Sequence, residues 1–77
     1  MRRVTFYAMQ VGDHWEVACS QRGIEPQRHE DRARALAAAQ EGAQGLWARE
    51  RIATAVVVSE DDGGWHQAAT YGDLLDF

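Results

Sequence analysis

Hydrophobic and polar positions repeat with two different periods along this chain, and the change of period marks its elements. Residues 3–11, Arg-Val-Thr-Phe-Tyr-Ala-Met-Gln-Val, are rich in β-branched and aromatic side chains and read as a strand. Gly12-Asp13 is a turn signal. Residues 14–20 then alternate with period two, placing Trp15, Val17 and Cys19 on one face. Together the two runs predict a hairpin. Residues 21–29 hold Gly23 and the only proline, Pro26, and read as a loop in which Glu25 is pushed toward extended geometry.

From about Glu30 to Arg49 the β-branched residues disappear and Ala, Arg, Gln, Glu and Leu take over, which predicts a helix. Glu30 and Asp31 fall in its expected first turn and Arg49 and Arg51 near its end, as the helix dipole favours. The expected apolar stripe is Ala33, Leu36, Ala37, Ala43 and Trp47, interrupted by Gln40. A stripe made mostly of alanine lets a helix approach a sheet closely. Gly42 and Gly45 each weaken the last turns by about 1 kcal/mol relative to Ala, so the helix is expected to stop or bend there. Ile52 to Ser59 is a near-continuous β-branched run and the clearest strand of the chain. Residues 60–64, Glu-Asp-Asp-Gly-Gly, form a turn signal. Trp65 to Tyr71 reads as a fourth strand with Trp65, Gln67, Ala69 and Tyr71 on one face. Residues 72–77 make a short acidic tail carrying Leu74, Leu75 and Phe77.

The expected fold class is therefore α+β, a single domain over residues 1–77. A small antiparallel sheet in the order ββαββ carries one helix packed on one face. One helix covers one face, so the other face should be polar. Yet the first strand is apolar in both phases, with Phe6 and Ala8 in one and Tyr7, Met9 and Val11 in the other. A surplus apolar phase marks a central strand, a face covered by the tail, or a partner surface. Tyr7, Met9 and Val11, with Leu74, Leu75 and Phe77, are the candidate protein interface. A chain this short also gains core by association, so the expected partner is a second copy or another protein.

Composition narrows the function. Of the 77 residues, 45% are hydrophobic and 26% charged, which is globular composition rather than disorder. All eight basic residues are arginine and thirteen residues are alanine, the bias of a GC-rich bacterial genome. The formal net charge of -4 disfavours a general attraction to nucleic acid. Residues 52–77 carry five acids and no base. One cysteine, Cys19, excludes an internal disulfide framework, and no CxxC or Cys/His spacing exists for structural zinc. No run of about 18 apolar residues is present to span a membrane. Met1-Arg2-Arg3-Val4-Thr5 does not lead into a signal-peptide core, so a cytoplasmic location is expected.

Candidate chemistry is sparse. Asp61-Asp62-Gly63-Gly64 lacks the alternating ligands and closing Glu of a calcium loop, and a hairpin turn outweighs that reading. His14, His29 and His66 show no metal-ligand spacing. His14 and His66 each precede or follow a tryptophan at a strand start and would meet if the two hairpins aligned. Cys19 reads as a small core residue, and no nucleophile elbow or phosphate-binding glycine loop occurs. Neither a cofactor nor a catalytic constellation is expected. Arg22, Arg28, Arg32 and Arg34 form the one basic cluster, a candidate anion or nucleic-acid patch. Glu25, Glu30 and Asp31 interleave with them, which favours a solvated face with local ion pairs. Trp15, Trp47 and Trp65 are expected in the core rather than as a base-stacking platform.

The order of these signals resembles a bacterial family of small domains of unknown function. Those domains share a Gly-x-x-Trp-x-Val hairpin, an Ala-rich helix, a β-branched strand, an acidic-Gly turn and a closing strand ending in Tyr-Gly. Here the matching pieces are Gly12 to Val17, Arg32-Ala33-Arg34-Ala35-Leu36, Val56-Val57-Val58-Ser59, Asp62-Gly63 and Tyr71-Gly72. The loop 21–29 and the segment Gly45–Arg51 look longer than that pattern, and Trp65 follows an extra glycine. The resemblance implies the ββα-strand order and no function. The first ββα part is also similar to the antitoxin half of bacterial toxin–antitoxin pairs with a partly degraded ribonuclease-H-like fold. The acidic Leu-Pro-Gly-type signature of those antitoxins is absent, and that likeness is set aside. Three functions follow as expectations. The first is a non-enzymatic binding module acting through protein–protein contacts as a homodimer. The second is a nucleic-acid-binding or regulatory accessory protein using the Arg22–Arg34 region. The third is a small acidic inhibitor of a larger enzyme from a phage or mobile element.

Overall fold

A computed structural model describes residues 3–21, 23–60 and 63–72. Its elements are β1 (Arg3–Val11), β2 (His14–Cys19), β3 (Gln27–His29), α1 (Arg32–Glu50), β4 (Ala53–Ser59) and β5 (Trp65–Tyr71). The α+β class and the single helix on one face stand. The expected antiparallel sheet in the order ββαββ is corrected to a mixed five-stranded sheet in the order β3-β2-β1-β4-β5. β1 pairs with β2 antiparallel and with β4 parallel. The reason is topological. β4 returns after the β2–β3 segment and the helix, a connection long enough to restart beside β1 in the same direction. β3, expected as loop, pairs antiparallel with β2 through Trp15 opposite His29 and Val17 opposite Gln27. Three polar residues after a proline carry no hydrophobic signal for such a strand.

β1 lies at the centre of the sheet, with a neighbouring strand on each side. Val4, Phe6 and Ala8 point to the helix side, in register with Thr54, Val56 and Val58 of β4. These side chains, with Val17, Ala35, Ala39, Ala43 and Leu46, make the core. The helical stripe differs from the expected one. Ala35, Ala39, Ala43 and Leu46 are buried, Leu36 and Trp47 are half-buried, and Ala33 and Ala37 are exposed. Alanine surrounds the helix on several sides, so periodicity does not select which alanines face the sheet. Small side chains there hold the helix close, and the Thr54 hydroxyl donates to the Ala43 carbonyl at 3.0 Å.

The helix starts at Arg32, two residues after Glu30, and ends at Glu50, one residue past Arg49. Asp31 is its N-cap, with the Arg34 N–H donating to Asp31 Oδ1 at 2.8 Å, and no acid occupies the first turn. The helix runs through Gly42 and Gly45. A Cβ on Gly42 would lie 3.0 Å from Phe6 Cε2, so the glycine makes room for the core ring. Arg51 ends the helix in a left-handed conformation (φ 55°), its N–H donates to the Trp47 carbonyl, and its guanidinium lies 5.2 Å from the Trp47 ring centre.

Candidate functional site

Among the described residues nothing covers the sheet face opposite the helix, and strand pairing defines what stands on it. Tyr7 pairs with Ala18 and Val57, Met9 with Glu16, and Val11 with His14. On β5 the expected single face of Trp65, Gln67, Ala69 and Tyr71 is corrected. A β-bulge between Val56 and Val57 makes Ala69 the partner of Val56 and Gln67 the partner of Val57. One extra residue reverses the side-chain phase. Ala69 and Tyr71 pack toward the helix, whereas Trp65 and Gln67 stand on the open face.

The same reversal moves Trp65 out of the core, where it was expected. It is 54% exposed, and its ring meets Tyr7 edge to face at 5.7 Å and 77°. Trp15 and Trp47 are half-buried, with Trp15 packed against the core. Met9 and Val57 are half-buried and Val11 is 40% exposed. The structure thus brings Tyr7 and Met9 together with Val57 and Trp65 on one surface, with Val11 at its rim. Val57 and Trp65 were missed as interface candidates. For Val57 the signal was its phase opposite to Val56 and Val58. For Trp65 no sequence signal announces the bulge. Leu74, Leu75 and Phe77 lie outside the described residues.

Beside this face the β1–β2 turn and β3 enclose an open cleft of about 430 Å³, lined by Asp13, His14, Arg28, His29 and Glu30. His14 Nε2 lies 2.8 Å from Glu16 Oε2, and Nδ1 lies 3.4 Å from Asp13 Oδ1. Those contacts with His14, a hydrogen bond within Asp13 itself and the charge of Arg28 hold the Asp13 carboxyl below its usual range. His29 Nε2 is enclosed without a hydrogen-bond partner. His14 does not meet His66. β1 and β4 separate their strands, and the two side chains stand on opposite faces. No group of three or more His, Cys, Asp or Glu among the described residues could hold a metal ion.

The basic cluster is largely engaged. Arg32 donates to Glu60 Oε1 at 3.2 Å. Arg34 pairs with Glu30 and lies 3.7 Å from Asp31 Oδ2. Arg28 sits in the cleft with Asp13. Arg22 lies outside the described residues. Cys19 is half-buried against the core, and its sulfur accepts from the Gln21 N–H. No described helix is long and apolar enough to cross a membrane.

No family model, curated protein or solved structure matches the chain. The likeness to the small bacterial domains rests on its short motifs alone.

Proposed function

We propose that the protein is a non-enzymatic binding module that acts through protein–protein contacts as a homodimer, and that the open sheet face is its working surface. The observation that carries this reading is Trp65, 54% exposed and leaning on Tyr7. Folding does not need a tryptophan left in water, whereas aromatic side chains and methionine are enriched at the centre of protein interfaces. Met9, Val57 and Val11 extend the patch, and His14, Glu16 and Arg28 give it a polar rim. The chemistry that fits is an apolar strand or helix surface of another protein.

The nucleic-acid reading is the weaker one, because Arg32 and Arg34 are paired with carboxylates and the charge of Arg28 acts on Asp13. Failure to shift DNA or RNA in a gel at low salt removes it. Of the five acids in residues 52–77, Glu60 is described, and its carboxylate is taken by Arg32. That engagement supports the acidic-inhibitor reading poorly.

Two measurements test the proposal. An anilinonaphthalene dye should bind the native wild-type chain and lose most of its fluorescence with Trp65→Ser or Met9→Gln. Equal dye binding by all three chains refutes the open face as an apolar surface. Sedimentation of the wild type as a monomer at high micromolar concentration refutes the homodimer.

A further inference from the structure

The two edges of the sheet are built differently. β3 is three residues long, follows Pro26 and carries Arg28. Short length, proline and charge are the usual protections of an edge strand. β5 forms the other edge and is seven residues long, Trp65-His66-Gln67-Ala68-Ala69-Thr70-Tyr71. It contains no Asp, Glu, Lys, Arg or Pro, and among the described residues its one protection is the bulge.

The turn before β5 sets which backbone groups point outward. The Glu60 N–H donates to the Gly64 carbonyl at 2.9 Å, so Gly64 faces β4. Residues of an antiparallel ladder alternate between facing the neighbour and facing away. Trp65 and Gln67, paired with Ser59 and Val57, therefore direct their N–H and C=O groups away from β4. Past the extra residue the outward phase resumes at Thr70, the partner of Ala55. Trp65, Gln67 and Thr70 also carry their side chains on the open face.

We infer that a second copy of this chain pairs with β5 edge to edge, antiparallel, about a two-fold axis between Ala68 and Ala69. Gln67 then stands opposite the partner's Thr70, and His66 opposite the partner's Tyr71. This register matches outward-facing backbone with outward-facing backbone and keeps open-face side chains on one side. A slip of one residue breaks both conditions. The edge is thus self-complementary, and no charge on either strand opposes the pairing. The product is one ten-stranded sheet with both Tyr7–Trp65 patches on the same side. The inference rests on the homodimer reading above and assigns the dimer contact to the edge, which leaves the open face free for another protein.

The test is sedimentation equilibrium of the full chain. Gln67→Lys sets two like charges on the same face of the paired edge, one on each side of the axis, from an exposed side chain. It should weaken the dimer by about tenfold or more while the far-ultraviolet circular dichroism stays unchanged. Met9→Gln, which alters the open face away from the edge, should keep the wild-type dimer constant. Amide exchange at Trp65, Gln67 and Thr70 should slow as concentration rises in the wild type and not in Gln67→Lys. A dimer that survives Gln67→Lys, or one that Met9→Gln dissolves, overturns the edge assignment and leaves the homodimer standing. A wild-type chain that is monomeric at high micromolar concentration overturns both.

Discussion

Replacing Gly72 by alanine tests the packing where the sheet ends against the helix. Gly72 follows β5 with φ +65°, and a Cβ built on it would lie 2.3 Å from Trp47 Cε3 and 2.5 Å from Cδ2 and Cζ3. Carbon atoms in contact sit about 3.5–4.0 Å apart, so the overlap exceeds 1 Å against three ring atoms at once. The indole cannot simply swing away, because it is half-buried and lies beneath the Arg51 guanidinium. Two costs follow. A left-handed alanine costs about 1 kcal/mol relative to glycine. Overpacking of this kind costs about 1–3 kcal/mol. The expected loss for Gly72→Ala is therefore about 2–4 kcal/mol, a large share of the roughly 4–12 kcal/mol typical of a chain this long. Urea denaturation followed by tryptophan fluorescence measures it. Gly72→Asn separates the two costs, because asparagine tolerates the left-handed region but keeps the Cβ, so most of the loss should remain. In a Trp47→Leu background Gly72→Ala should fall to about 1 kcal/mol, a coupling of about 1–3 kcal/mol between the two sites. A loss below about 1 kcal/mol in the wild-type background, or a coupling near zero, refutes the reasoning.

Two further predictions concern the other ends of the core. Trp15→Ala should cost about 2–3 kcal/mol, less than a fully buried tryptophan, because Trp15 packs on the core while half-exposed. Chemical denaturation showing less than about 1 kcal/mol would place Trp15 on the surface instead. Asp31→Ala should cost about 1 kcal/mol by removing the acceptor of the Arg34 N–H, and Asp31→Ser should recover most of it. Equal melting temperatures for the wild type and Asp31→Ala would show that the cap contributes nothing.

Much of this fold is legible in the residues alone. The hairpin about Gly12-Asp13, the helix after Asp31, the β-branched strand at 53–59 and the strand from Trp65 each carry a local signal that the structure keeps. β1 being apolar in both phases left a central strand, a face covered by the tail and a partner surface open, and the structure places it at the centre of the sheet. Local signals report period, propensity and turn chemistry, so they find elements whose own residues define them. They do not report neighbours. β3 exists because β2 offers it a ladder, not because Gln27-Arg28-His29 prefers to be extended. The parallel β1–β4 pair is decided by where the helix returns the chain. Alanine on nearly every side of the helix hides which stripe is buried, and packing of the helix on the sheet chooses Ala35, Ala39 and Ala43. One bulged residue, Ala68, then decides the candidate surface. It turns Trp65 from an expected core residue into an exposed one beside Tyr7, and only the pairing of β5 with β4 fixes where the extra residue falls.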